Sequence, residues 1–192
     1  MLKQALFIPM LLAVWPAAAS DSDRTAAARA VAGELVQRLG AALRREMAAS
    51  GPDGAVAVCK DTAPQLAAEL SRRTGWRVAR VSLKPRNALL GSPDAWEQSV
   101  LLRFEQSVAA GEPVEGTDYA ETVQEPQGRF FRYMRALSVQ PLCLTCHGSA
   151  ATIPEPVRRR LADEYPHDRA VGYDVGQLRG AVTINFPLTD GN

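Results

Sequence analysis

The chain has 192 residues, with 22 Lys and Arg against 21 Asp and Glu and a formal net charge of +1. That length suits one domain with a single core, and the balanced charge excludes the strongly basic surface of a nucleic-acid-binding protein. The densest basic run, Arg158-Arg159-Arg160, reads as a solvated helix face, so no nucleic-acid partner is expected.

At the N-terminus, Lys3 precedes an apolar stretch from Ala5 to Val14 and the small residues Pro16-Ala17-Ala18-Ala19-Ser20. This pattern predicts a signal peptide over residues 1–20, cleaved after Ala19 or Ser20. The stretch is shorter than the ~20 residues a bilayer requires and contains Pro9 and Pro16. The expected product is a periplasmic domain over residues 21–192 with no membrane span.

From Thr25 to Ser50 the residues Val31, Leu35, Leu39, Leu43 and Met47 recur every fourth position, which predicts an amphipathic helix stopped by Gly51. A second helical pattern runs from Pro52 to Arg73, with Val56, Cys59, Ala63, Leu66 and Leu70 on one face, Pro64 as a point of division and Gly75 as the end. Arg77 to Leu83 alternates like a strand. After a loop, Ser92-Pro93-Asp94 supplies a cap, a proline at the first helical position and an acid in the first turn. The helix it opens carries Trp96, Val100, Phe104 and Val108 and ends at Gly111. Asp118 to Gln124 and Arg129 to Leu137, joined by Glu125-Pro126-Gln127-Gly128, predict a β-hairpin. A short helix near Pro156 to Tyr165 and a strand from Ala181 to Phe186 complete the chain. Helices followed by hairpin-linked strands predict an α+β fold with an antiparallel sheet.

Directly after the hairpin stands Cys143-Leu144-Thr145-Cys146-His147, the C-x-x-C-H signature of c-type haem attachment. Two thiols three residues apart can each add to a haem vinyl group, and the next imidazole is delivered to the iron. A zinc site would have only Cys59 and His167 left to complete its ligand set. A thioredoxin-type pair would open a helix after a βαβ strand, whereas this run follows a proline and precedes a Gly- and Pro-rich loop. One covalent haem c is the expected cofactor, with His147 on the iron. For the opposite side the residues leave several possibilities: Met47, Met134, His167, Cys59, or an open face.

The segments Arg80-Val81-Ser82-Leu83-Lys84-Pro85-Arg86-Asn87, Pro93-Asp94-Ala95-Trp96-Glu97, Arg132-Tyr133-Met134, Cys143 to Gly148, and Tyr165-Pro166 through Tyr173 to Ala181 resemble the single-haem, PAS-like c-type cytochrome family, a domain of unknown function. The likeness spans nearly all of residues 21–192, with departures at Ala88 and Gln177. It implies a PAS-like antiparallel sheet flanked by helices and an iron held by His147 and, opposite, by Cys59 from Val58-Cys59. Lys84, Arg86 and Arg179 are candidates to pair with the haem propionates, since an Arg fork matches a carboxylate.

A thiolate ligand favours ferric iron and a low reduction potential. The function expected from the ligand pair is a redox- or gas-responsive sensor in which His147 is retained and Cys59 released. Its partner would be a separate signalling or redox protein, and its ligand a diatomic gas. A low-potential electron carrier and a peroxidase-like enzyme are the alternatives, the latter needing a distal acid/base group.

Overall fold

In the computed structural model residues 19–188 are described, so the predicted signal segment lies outside the described residues up to position 18. Helix α1 (Asp21–Gly54) begins four residues earlier than the apolar periodicity predicts. Ser20 is its cap: the hydroxyl accepts the Asp23 N–H at 3.2 Å and the Asp23 carboxylate accepts the Ser20 N–H at 3.1 Å, a reciprocal capping box. The predicted stop at Gly51 is a break inside the helix, where φ is 75° and glycine alone is unstrained.

The pattern over residues 52–73 does not form one helix. It divides into a π-helix (Val58–Thr62) and α2 (Ala63–Thr74), and Pro64 is the physical reason. Lacking an N–H, Pro64 cannot bond to the carbonyl four residues back, and its ring crowds that oxygen. The turn before it widens, so that the Ala63 N–H bonds five residues back to Val58 O. Gly75, at φ 72°, ends α2, as its left-handed freedom predicts.

Strand β1 (Arg77–Val81) is two residues shorter than expected, because the Ser82 N–H turns away to Gly91 O at 3.0 Å. That carbonyl belongs to α3 (Ala88–Gly91), a short helix capped by Asn87 where the sequence predicts loop. In α4 (Ala95–Ala109) the cap is Asp94, boxed with Glu97, and not Ser92. The hairpin forms as predicted from β2 (Asp118–Glu125) and β3 (Gly128–Ser138), closed by the pair Glu125 and Gly128. A 3-10 turn (Pro141–Cys143), α5 (Leu144–His147), α6 (Glu155–Glu164) and β4 (Leu178–Leu188) follow.

The four strands form one antiparallel sheet in the order β1-β4-β3-β2, so the expected α+β class with an antiparallel sheet is the one observed. One face packs Phe131, Tyr133, Ile184 and Phe186 against Ala28, Ala32 and Leu35 of α1 and Leu70 of α2. The opposite face packs Val81, Met134 and Ala181 against Val100, Leu101 and Phe104 of α4. Full burial of the Val, Leu, Ile, Phe and Met side chains among these is worth ~1.5–3 kcal/mol each. Among the described residues no helix is long and apolar enough to cross a membrane.

Under α4 the core is ionic. Glu97 is 1% exposed and Arg132 4%. The Arg132 guanidinium reaches Glu97 at 3.5 Å, Glu125 at 3.1 Å and the Asp94 carboxylate, and it lies 4.4 Å over the Trp96 ring. Glu97 also accepts from Thr183 at 2.9 Å and Arg77 at 3.1 Å. Removing one partner of a buried pair costs about 3–5 kcal/mol, because the other charge is left uncompensated. Glu97→Ala is therefore expected to lower the unfolding free energy by that amount, read as a lower urea midpoint with an unchanged m-value.

On the other face Asp118 ties α1 to the hairpin, accepting from Arg29 Nε at 2.6 Å and from Tyr133 Oη at 2.8 Å. Burial alone would raise its pKa, but these two partners outweigh it and the net shift is downward. The folded-state value thus lies below the unfolded one of about 4. The stabilisation is complete above that pH and is lost as pH falls through the folded value. In urea unfolding, the margin of the native chain over Asp118→Asn should be full at pH 6.5 and shrink by pH 3.

Candidate functional site

His147 is the hub of the site. Its Nδ1 lies 2.7 Å from Ala170 O, and since a carbonyl can only accept, Nδ1 carries the proton and Nε2 keeps its lone pair. Burial, with the Arg179 and Arg86 charges nearby, holds its pKa well below the ordinary value, so the ring is neutral. Tyr173 meets the imidazole edge-on with ring centroids 6.2 Å apart.

The backbone fixes this arrangement. Tyr173 N–H donates to His147 O at 2.9 Å and Gly172 N–H to Gly148 O at 2.8 Å, while Gly176 N–H donates to Val139 O and Val139 N–H to Gln177 O. The segment after Ala170 is thereby laced to the segment before and after the C-x-x-C-H turn. A Cβ at Gly148 would stand 2.6 Å from Leu144 O, so the chain leaves α5 through a position that only glycine fills without a shift.

The two cysteines of the motif are free and half-buried, on the consecutive turns formed by the 3-10 segment and α5. Cys143 Sγ accepts the Gln140 N–H at 3.3 Å. Burial pushes the Cys146 thiol up to about 11, and the residue packs against a cluster that includes Val56, Val157 and Tyr165. Cys59 sits in the π-helix, close enough to bear electrostatically on both Cys146 and Tyr165. The Tyr165 hydroxyl is pushed up to about 12, by burial first and the Cys59 sulfur second. The fold thus brings Cys59 from a distant position in the chain to the neighbourhood of Cys146 in the motif.

The three basic candidates take different places. Arg86 is 8% exposed; its Nε pairs with Asp168 at 3.0 Å and its Nη2 donates to the Cys146 and Ala170 carbonyls. Its fork is thus engaged within the protein. Arg179 donates from Nη1 to Ser82 Oγ at 2.9 Å, while its Nε is buried with no partner. Lys84 is exposed, with Nζ 5.1 Å from the Tyr173 ring centroid. Of the other iron-ligand candidates, Met134 is fully buried in the core beneath α4, Met47 is half-buried on α1, and His167 is exposed.

Sequence reasoning missed Arg80, Asp168 and Tyr173. Arg80 acts on His147, Tyr165 and Arg179 and has no ion-pair partner among the described residues. Its signal was available: in β1 it shares the side of Val78, which faces the core, and an arginine at an inward strand position calls for a reason. The π-helix at Cys59 was foreshadowed only by Pro64, and turns of this kind recur at functional sites.

The Tll0287-like family model matches residues 16–187. Among solved structures, the chain is similar to the crystal structure of the cyanobacterial haem-protein Tll0287, with a TM-score of 0.67 and 25% identity over 88% of this chain and 98% of that one. Among curated proteins no match is found.

Arg86 joins the β1–α3 connection, the C-x-x-C-H turn and the loop before Ala170 through one guanidinium. Arg86→Met leaves Asp168, only 12% exposed, without its cation and is expected to cost about 3–5 kcal/mol. Arg86→Lys should recover only part of this in urea unfolding, because a point charge cannot serve a carboxylate and two carbonyls in a fixed fork.

Proposed function

Since the chain belongs to the Tll0287-like family, we propose that it is a periplasmic mono-haem c-type cytochrome with a PAS-like fold, whose iron is held by His147 and Cys59 and which acts as a redox- or gas-responsive sensor. The observation that carries this reading is a neutral His147, anchored through Nδ1 with Nε2 free, directly after the two unpaired thiols of its motif, with a third thiol near Cys146.

The residues fit such a group. Cys143 and Cys146 would hold it covalently and His147 Nε2 would ligate its iron. Arg80, Arg86 and Arg179 crowd His147 with Asp168 as the one carboxylate paired among them, a positive excess that suits the carboxylates a haem carries. Bound there, the haem supplies a one-electron iron centre whose potential follows its axial ligands and surroundings. The Ala170 carbonyl fixes the His147 tautomer and ring orientation, the outer-sphere role that carbonyls play for ligating histidines. Cys59 ligates only as a thiolate, so proton uptake at its Sγ makes it the releasable partner and His147 the retained one. Its place on a widened helical turn, rather than in a rigid α-helix, supports this assignment.

One observation favours electron transfer to a protein partner as a second reading. Leu142, Val171 and Val175 are 37%, 37% and 53% exposed on the two segments laced around the C-x-x-C-H turn, and apolar side chains of this kind are what a transient redox partner covers.

Absorption spectra of the exported protein, oxidised and reduced, with and without CO, test the assignment beside Cys59→Ser. The expected outcome is a thiolate-type ferric spectrum that the variant loses, and CO binding by the reduced native protein. Identical spectra for the two proteins, without CO binding, would return Cys59 to a packing role and leave the electron-carrier reading.

A further inference from the structure

Between α4 and the adjoining ends of β1 and β4 lies a cleft of about 260 Å³, whose cations the haem reading also draws on but whose apolar wall it does not use. Leu101 and Val108 of α4, with Leu178, form an apolar wall; Lys84, Arg179 and Tyr173 line the rest. The two cations share one aromatic ring, with Lys84 Nζ 5.1 Å and Arg179 Cζ 5.5 Å from the Tyr173 centroid. Among the described residues neither has an ion-pair partner. Glu105, exposed at the rim, is outside ion-pair reach of both.

Two like charges brought to one ring repel each other, and burial lowers the pKa of the Arg179 guanidinium. The cleft therefore offers charge and apolar surface together, the composition of a small-ligand site. An apolar cavity of about 150 Å³ is enough for benzene, so the space admits a body of that size together with a charged group.

We propose that this cleft binds a small monocarboxylate with an apolar body, its carboxylate between Lys84 and Arg179 and its body against Leu101, Val108 and Leu178. A haem propionate could meet the cations, but its two-carbon arm would leave the apolar wall uncovered, and Arg80 remains on the His147 side for the cofactor's own carboxylates. Tyr173 joins the cleft to His147 through its ring edge and its N–H. On the haem reading above, occupancy is thus expected to shift the Soret band; the binding itself does not depend on that reading.

Calorimetric titration of the full-length exported protein with sodium benzoate, acetate and benzamide tests the site. Benzoate should bind saturably at one site, acetate at least tenfold more weakly, and benzamide not at all. Lys84→Met, at an exposed position outside the core, should weaken benzoate at least tenfold without changing the circular dichroism. Absence of saturable benzoate binding overturns the proposal, as does benzoate binding that Lys84→Met leaves intact. If benzoate does not bind and Lys84→Met shifts the propionate bending bands in resonance Raman, the cations belong to the cofactor instead. A sample with no haem absorption would refute the haem reading, while its benzoate heats would still decide the cleft.

Discussion

The site depends on one buried guanidinium. Arg86 bonds at once to a carboxylate and to two carbonyls on separate segments, and so reinforces the backbone lacing, the His147–Ala170 bond and the small apolar cluster that set the C-x-x-C-H turn against the loop that orients its histidine. An arginine can do this because its donors leave in fixed directions within one plane. The rigid fork adds direction to the apolar packing around the motif, which by itself tolerates small displacements. The cost is a charge held out of water, repaid by Asp168 at 3.0 Å.

Much of the fold was legible because the local signals agreed. The four-residue spacing in α1, the turn residues of the hairpin and the alternation in β4 all yielded the elements they predict, and Gly75 ended its helix for the conformational reason that marks it. What escaped was non-local or depended on competition between neighbours. Ser92 and Asp94 are both good caps, and only the reciprocal bond with Glu97 decides for Asp94. Pro64 announced a disturbance, but whether it would kink the helix or widen its preceding turn is settled by packing.

The site was legible to a different degree. C-x-x-C-H carries its chemistry in five adjacent residues, so it could be read directly. Cys59 could be singled out only by elimination and by family likeness, since a lone thiol on an apolar helix face has no local signature. Arg86 was read as a partner for an external carboxylate, yet its partner Asp168 stands 82 positions further along. No local pattern links two such residues; only the fold brings them together. Arg80 and Tyr173 escaped for the same reason, because their significance lies in what surrounds His147.

The strand order has a consequence for how the chain comes to be folded. Among the described residues β4 is the last strand, lies in the middle of the sheet and is the only partner of β1, pairing Val81 with Ala181. Such long-range pairing is slow to form, and here it cannot begin until the C-terminal strand exists. A chain emerging from the ribosome can make its helices and its hairpin, but β1 must wait without a neighbour until β4 (Leu178–Leu188) has been made. A chain that has not yet reached β4 therefore leaves β1 unpaired and β3 bonded on one side alone, so that the sheet closes in a single late step.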